Sequence, residues 1–331
     1  MTAPLDTSST AAEARPEAAA VGMGAAIQGR SLGQIAWLRL RRDKVAVAGA
    51  TIIIVLVLAA IFAPLLVKVF GHPPNEYHEK LIDPELSRPI GGFGGISRHF
   101  LLGVEPINGR DVFSRILYGA RISLLVALLS TLLSVVLGVV LGVTAGFFGG
   151  WVDSVISRLM DIFLAFPLLV FAIALTSVVQ QQAFGLSGNT LRIAVLVFVI
   201  GFFNWPYIGR IIRGQTLSLR EREFVDAARS LGARNHYILF RELLPNLIAP
   251  ILVYSTLLIP TNILFEAALS YLGVGVNPPT PTWGGMLSQA VTLYQADPMF
   301  MIVPGLAIFI TVLAFNLLGD GLRDALDPRS Q

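Results

Sequence analysis

The sequence predicts an all-α polytopic membrane protein with six transmembrane helices. Hydrophobic residues make up 54% of the 331 residues and charged residues only 14%, and the mean hydropathy is +0.71. A soluble globular domain usually carries about 25% charged residues. Apolar segments of spanning length recur along the chain, and arginines collect before the first and between the fourth and fifth. Composition, segment length and charge placement therefore agree on a membrane-embedded helical bundle.

Six segments have the length and composition of a spanning helix, which needs about 20 mostly apolar residues. In chain order they are Val45–Val67, Ile122–Phe147, Ile162–Val179, Leu191–Ile208, Leu247–Leu269 and Met299–Leu318. Prolines lie inside or beside several of them, at Pro167, Pro250, Pro260 and Pro304. Membrane helices tolerate such prolines because neighbouring groups satisfy the carbonyls that lose a partner.

Arginine placement sets the predicted orientation, since cytoplasmic connections carry an excess of Lys and Arg. Five basic residues crowd the approach to the first span: Arg30, Arg39, Arg41, Arg42 and Lys44. The segment 209–246 carries seven arginines: Arg210, Arg213, Arg220, Arg222, Arg229, Arg234 and Arg241. We therefore expect both termini and residues 209–246 in the cytoplasm, and residues 68–119 as a long external loop. The net charge of +3 reflects these membrane-flanking arginines and indicates no nucleic-acid partner.

The polar segments contain few further signals. Residues 1–29 are rich in Ala, Thr, Ser and Glu, which predicts a disordered N-terminal tail, and no pattern typical of a cleaved signal peptide precedes the first span. The run GGFGG at 91–95 lacks the lysine and the strand–helix context of a phosphate-binding loop, so a flexible loop is expected. The chain has no cysteine and four histidines without ligand spacing, so no metal site is predicted.

Residues 218–246 predict an amphipathic helical hairpin on the cytoplasmic side. Ser218 and Glu221 fit a Ser-x-x-Glu capping box, and Gly232 stands where a helix-ending glycine is expected. A second short helix is predicted over Asn235–Leu244, stopped by Pro245. The first helix carries a small apolar face, which consists of Phe224, Ala227, Ala228 and Leu231.

The apolar face of this hairpin is small, rich in alanine and flanked by charges of both signs. A helix that lies on the bilayer surface usually carries several large apolar residues opposite a lysine-rich face. Docking into a groove of another protein therefore fits the hairpin better, and a surface-lying loop is the alternative.

The segment DAARSLGA at 226–233, followed by Ile238 and by LLPN at 243–246, resembles the EAA loop of ABC-importer permeases. Asp226 replaces the usual Glu, and Glu242 stands where many members have His. The resemblance implies that this loop docks into a cytoplasmic ATPase. The residues expected to couple the chain to that ATPase are Phe224, Asp226, Ala227, Ala228, Arg229, Gly232, Ile238, Leu244 and Pro245.

Three further segments resemble the dipeptide/oligopeptide/nickel branch of that family, and specifically its C-type subunit. They are NGRDVFSRILYGARISL at 108–124, EAALSYLGVGVNPPTPTWGGML at 266–287 and LAFNLLGDGLRDALDPR at 313–329. One departure is Gly103-Val104-Glu105, where the family reads Gly-Thr-Asp. The resemblance implies a type I ABC-importer transmembrane fold. Its parts are an N-terminal region with the first span and the external loop (30–119), a permease domain (120–320) containing the EAA loop (218–246), and a cytoplasmic tail (321–331).

The resemblance also implies partners in a bacterial inner membrane: a second homologous permease subunit, two cytoplasmic ABC ATPase subunits and an extracytoplasmic substrate-binding protein. None of the three lysines is followed by Ser or Thr, so the chain has no Walker A loop. We therefore expect a transport subunit without enzyme activity or cofactor, whose partners hydrolyse ATP with Mg²⁺. Di- and oligopeptides are the expected substrates, with nickel, glutathione or a sugar as alternatives. The competing class is an ATP-independent secondary transporter, although no mid-membrane charge pair or inverted repeat is evident.

Small and polar residues inside the spans are further candidates. Small residues recur every four positions along the second span: Ser130, Ser134, Gly138, Gly142 and Gly146. Such a stripe allows close helix approach, and pore lining is the alternative. Glu266 is either a functional carboxylate or one that reaches interfacial water. Asn204 and Asn316 are expected to form interhelical hydrogen bonds, and Arg158 and Asp161 a local i,i+3 ion pair.

Overall fold

The computed structural model describes residues 32–178, 182–183 and 185–326, and this part of the chain is almost entirely helical, as predicted. The predicted disordered tail at 1–29 and residues 327–331 of the predicted C-terminal tail lie outside the described residues. The helices are α1 (Leu32–Arg42), α2 (Lys44–Ile61), α3 (Ala63–Phe70), α4 (Val112–Phe148), α5 (Gly150–Ala165), α6 (Leu168–Val178), α7 (Gly188–Arg220), α8 (Glu223–Ser230), α9 (Asn235–Tyr237), α10 (Leu244–Tyr271), α11 (Trp283–Ala290) and α12 (Pro298–Leu326). Two short strands, β1 (Gln182–Ala183) and β2 (Leu186–Ser187), pair antiparallel.

Among the described residues, five helical stretches are long and apolar enough to cross a membrane: α2, α4, α7, the run Asn235–Tyr271 and α12. A sixth span exists only if α5 and α6 are counted as one, and the chain bends by 78° between them. The predicted third span, Ile162–Val179, is therefore wrong as a single helix. Phe166 has an extended backbone, with ψ of 128°, because a residue before a proline is sterically excluded from the α region.

The predicted first span, Val45–Val67, is also divided. Helix α2 ends at Ile61, where Phe62 donates its N–H to the Leu58 carbonyl over 2.8 Å. Pro64 lies in the first turn of α3, and it has no N–H with which to continue the hydrogen bonds of α2. The apolar stretch is thus one segment in composition and two helices in structure.

Several helices run beyond their predicted ends. Helix α4 begins at Val112 rather than Ile122, so the connection from α3 to α4 covers residues 71–111 rather than 68–119. Helix α7 continues to Arg220 rather than ending at Ile208. Hydropathy marks only the apolar part of a helix, whereas polar turns at either end keep the same backbone hydrogen bonds.

Helix α4 lies at the centre of the bundle. Its contact with α7 is the most extensive of any helix pair, and α10 and α12 pack around it together with α2. Ala127 of α4 is buried in one apolar cluster with Ile263 of α10 and Phe315 of α12. Val126, its neighbour on α4, is buried in a second cluster with Ile200 of α7. A displacement of α4 would therefore disturb its packing against most of the other spans.

Residues 71–111 cover the distal end of the bundle, which we define as the end where α4 begins. They contain one 3₁₀ turn, Glu79–Leu81, and their Glu105 and Arg110 form a buried ion cluster with Arg115 of α4. The Arg115 Nε lies 3.0 Å from a Glu105 carboxylate oxygen, and its Nη1 donates to the Pro279 carbonyl over 3.2 Å. The cluster ties residues 71–111 and α4 to the loop that follows α10.

Candidate functional site

The hairpin predicted from residues 218–246 exists, but its first helix begins later than predicted. Helix α8 starts at Glu223, and Arg222 stands at its N-cap without a side-chain hydrogen bond. The predicted capping box of Ser218 and Glu221 is therefore wrong. Ser218 lies inside α7. This helix continues past the membrane-spanning part because its last turns still bury side chains, among them Ile212 and Thr216.

Gly232 ends α8 as predicted, in the left-handed conformation with φ of +79°. Its N–H donates to the Arg229 carbonyl over 2.9 Å, and the Ala233 N–H donates to the Ala228 carbonyl over 3.0 Å. These two hydrogen bonds form a Schellman motif, which satisfies carbonyls left open at a helix end. The direction in which the chain leaves α8 is thus fixed by the backbone itself.

The predicted second helix, Asn235–Leu244, differs in form. A short α9 leads into a π-helical segment, Ile238–Leu243, and this continues directly into α10. Pro245 does not stop the helix but lies in the first turn of α10, directly after the π-helical segment. The hairpin is therefore continuous with the span that follows it.

A small apolar core fixes the hairpin to the bundle. Val225 and Ala228 of α8 are buried with Ile238 and Leu243, and all four pack with Phe147 at the end of α4. The Arg220 Nη1 donates to the carbonyls of Gly146 and Phe147, each over 3.3 Å. Sequence reasoning missed Val225, although its spacing of three from Ala228 was the available signal.

The other face of the hairpin is exposed and bears a groove. Phe224 is 37% exposed and Leu231 is 89% exposed, and the Asp226–Arg229 ion pair, at 3.2 Å, also lies on the surface. The groove has a volume of about 620 Å³ and is lined by Phe224, Ala227, Ala228, Leu231, Gly232, Ala233, Arg234, His236, Tyr237 and Glu242. Of the remaining predicted coupling residues, Ile238 is buried beneath it, Leu244 is half-buried and Pro245 is exposed.

The small-residue stripe of α4 lies against α7. The Ser134 hydroxyl donates to the Gly201 carbonyl over 2.8 Å. A Cβ on Gly138 would lie 2.9 Å from the Trp205 carbonyl oxygen, and one on Gly142 would lie 2.6 Å from that of Gly209. A Cβ on Gly146 would likewise lie 2.8 Å from the Arg213 carbonyl oxygen. The two backbones approach so closely that no side chain fits at these glycines.

Comparison with known proteins places the chain in a family. The family described as "Binding-protein-dependent transport system inner membrane component" matches residues 138–331, and "N-terminal TM domain of oligopeptide transport permease C" matches residues 31–84. The chain belongs to the binding-protein-dependent permeases. Its relatives include the dipeptide transport system permease protein DppC of Alkalihalophilus pseudofirmus, 40% identical over 294 residues and 89% of both chains. The glutathione transport system permease protein GsiD of Escherichia coli is 40% identical over 293 residues, 88% of this chain and 89% of that one.

A solved structure supports the fold of the permease. The inward-facing MetNI methionine ABC transporter contains a chain that matches with a TM-score of 0.53 and 19% identity, over 65% of this chain and 97% of that one. At that level of identity the similarity is evidence for the fold only. It confirms the ABC-importer fold predicted from the sequence.

Polar residues inside the permease's spans form one interhelical network. The Asn204 amide donates to Asn262 Oδ1 over 2.8 Å, and Asn262 in turn donates to Thr131 Oγ1 over 2.9 Å. The network joins α7, α10 and α4 and contains the hydrogen bond predicted for Asn204. Asn316 is half-buried, and within the described part of the chain no hydrogen bond of its side chain is present.

The ion pair predicted between Arg158 and Asp161 is wrong. Asp161 pairs instead with Arg210 of α7. About two turns earlier on α5 and one turn later on α7, Asp153 pairs with Arg213, whose Nη2 lies 2.6 Å from Asp153 Oδ2. Both aspartates project from α5 toward the neighbouring helix, so the partner comes from across the interface. These pairs hold α5 to α7 although the helix bends away beyond Ala165.

Glu266 is completely buried in α10. Its Oε1 accepts a hydrogen bond from the Ser270 hydroxyl over 2.8 Å. The carboxyl therefore does not reach interfacial water, which was one of the two predicted alternatives.

Proposed function

We propose that this permease is one membrane subunit of an ATP-driven importer and that it docks a cytoplasmic ATPase through the α8–α9 hairpin. The observation that carries the proposal is the two-sided construction of the hairpin. One side, which consists of Val225, Ile238 and Leu243, is buried against the bundle, while the other leaves Phe224 and Leu231 exposed beside the groove. Exposed apolar residues around a groove are typical of a protein interaction site.

The hairpin is built to pass motion to the spans. It follows α7 after two residues and runs without a break into α10, and its core packs on Phe147 at the end of α4. A displacement of the docked hairpin therefore moves three spans together. Energy from ATP reaches the pathway by this route, since the chain itself has no Walker A loop and relies on partner subunits for ATP and Mg²⁺.

Short peptides are the substrates that the relatives favour. The names of the two relatives specify dipeptides and glutathione, and glutathione is itself a tripeptide. We infer that the chain works with a second homologous permease, two ATPase subunits and an extracytoplasmic binding protein. In this arrangement the hairpin and both termini face the cytoplasm of a bacterial cell, and residues 71–111 face outward.

A tryptophan scan of α8 tests the docking role. Ala227 lines the groove, whereas Ser230 is exposed on the same helix and does not. Ala227→Trp should abolish copurification of the ATPase and substrate-stimulated ATP hydrolysis in reconstituted vesicles, because the indole fills the groove. Ser230→Trp is the matched control and should retain both. Equal retention in the two variants would refute the docking role.

A further inference from the structure

At the distal end of the bundle, the first turn of α11 is wedged between α4 and α10. Trp283 is 1% exposed, and its indole Nε1 donates to the Ile116 carbonyl over 3.1 Å. A Cβ on Gly119 would lie 3.2 Å from the Trp283 ring, and one on Gly284 would lie 2.6 Å from the Ala267 Cα. The start of α11 therefore fits only because glycines stand at both contacts.

Two hydroxyl groups accept hydrogen bonds from backbone N–H groups in the first turn of this helix. The Trp283 N–H donates to Ser123 Oγ over 3.2 Å, and the Gly285 N–H donates to Thr282 Oγ1 over 3.0 Å. Ser123 belongs to α4, whereas Thr282 is the N-cap residue of α11 itself. N–H groups at a helix start have no partner within the helix, so these hydroxyls are what satisfies them.

The same two hydroxyls face the buried carboxyl of Glu266, beside that of Ser270. Glu266 Oε1 accepts a hydrogen bond from the Ser270 hydroxyl, while Oε2 has no hydrogen-bond partner of good geometry among the described residues. A hydroxyl has one proton to donate and two lone pairs with which to accept. When its proton points at the carboxyl, its lone pairs remain free to accept an N–H group.

We propose that Glu266 is a positioning residue that holds α11 between α4 and α10. Its carboxyl draws the protons of the Ser123 and Thr282 hydroxyls toward itself, and both oxygens then accept N–H groups from the first turn of α11. Without the carboxyl, each hydroxyl is free to donate to a nearby backbone carbonyl, and the α11 N–H groups lose fixed acceptors. The role is separate from the proposed docking hairpin, which lies at the opposite end of α4.

Thiol protection measures the position of α11 directly. The chain has no cysteine, and Met286 on α11 is 1% exposed, so Met286→Cys provides a single protected thiol. In the purified transporter complex, maleimide should label this thiol slowly when Glu266 is present. Glu266→Leu should raise the labelling rate about tenfold, because two hydrogen bonds at the start of α11 lose their acceptors.

Two further variants separate positioning from general packing. Glu266→Gln keeps a carbonyl oxygen toward the hydroxyls and should return the labelling rate to within about twofold of the parent. Asn262→Leu is the matched control: it removes another fully buried polar side chain from α10, one that hydrogen-bonds to Thr131 rather than to the α11 site. It should leave the labelling rate unchanged.

Unchanged labelling in an assembled Glu266→Leu complex overturns the proposal, as does an equal rise in Asn262→Leu. If Glu266→Leu does not assemble, Ser123→Ala replaces it, since this variant removes the acceptor of the Trp283 N–H with little change in volume. Its labelling rate should rise about threefold, and no rise overturns the proposal. Ala227→Trp, labelled as the purified permease without the ATPase and compared with the parent in the same state, should not alter labelling. A failure of the docking role is therefore distinguishable from a failure here.

Discussion

Replacing Gly142 with alanine should separate α4 from α7. The added Cβ would lie 2.6 Å from the Gly209 carbonyl oxygen and 3.2 Å from both the Arg213 nitrogen and the Ile212 Cβ. Ordinary contact begins at 3.4 Å, so the first of these distances is about 0.8 Å too short. The atoms in the way belong mostly to backbone, which cannot rotate aside. Overpacking of this kind usually costs about 1–3 kcal/mol, and we expect Gly142→Ala to lower the free energy of unfolding by an amount in that range.

Gly214 supplies the control for this prediction. It lies within α7, and a Cβ at this position would meet no atom within 4 Å. Gly214→Ala should therefore be neutral or stabilise the helix by up to about 1 kcal/mol, because alanine favours a helix interior. The assay is thermal unfolding of the purified permease in detergent, with both variants measured together. A denaturation midpoint of Gly142→Ala equal to that of Gly214→Ala would refute the close-packing argument.

Three other predictions address topology, coupling and pH. A cysteine at Ser87 should react with an impermeant maleimide in intact cells, and one at Ser230 only after permeabilisation; the reverse pattern would invert the proposed orientation. Gly232→Val should lower the free energy of unfolding by about 1–2 kcal/mol, because valine is strained at φ of +79°. Copurification of the ATPase should fall in this variant, whereas Gly232→Asn should retain it. Burial raises the pKa of the Asp297 carboxyl, so its contribution to stability is complete below about pH 4 and declines as pH rises through the raised pKa. Asp297→Asn should remove this decline, and denaturation curves with an unchanged pH slope would contradict it.

Features with a local cause could be predicted from the sequence. Gly232 could be placed at a helix end because a C′ glycine follows from helix geometry alone, and the structure gives it the expected positive φ. The four-residue spacing of Gly138, Gly142 and Gly146 marks one face of a helix. It did not reveal that α7 covers this face, because the identity of a packing partner is a tertiary property.

Features that depend on distant partners could not be predicted. Arg115 resembles a surface cation in the sequence, but in the structure its side chain is buried. It pairs there with Glu105 and donates a hydrogen bond to the Pro279 carbonyl, 164 residues away. The local pair expected for Asp161 failed for the same reason, since Arg210 approaches from another helix. Neither the apolar pattern nor the proline itself predicts the bend at Pro167, because hydropathy is unchanged across it and membrane helices tolerate proline.

The close contact between α4 and α7 also limits where the permease can deform. Over Gly138–Gly146 no side chain of α4 separates it from the α7 backbone or from the side chains of Ile208 and Thr216. Arg220 ties the hairpin-side ends of the two helices together through the carbonyls of Gly146 and Phe147. Sliding one helix past the other would disturb all of these contacts, so we expect the pair to move as a unit. We then expect the relative motion that opens a pathway at looser joints, and the break between α5 and α6, where the chain bends by 78°, is one of them.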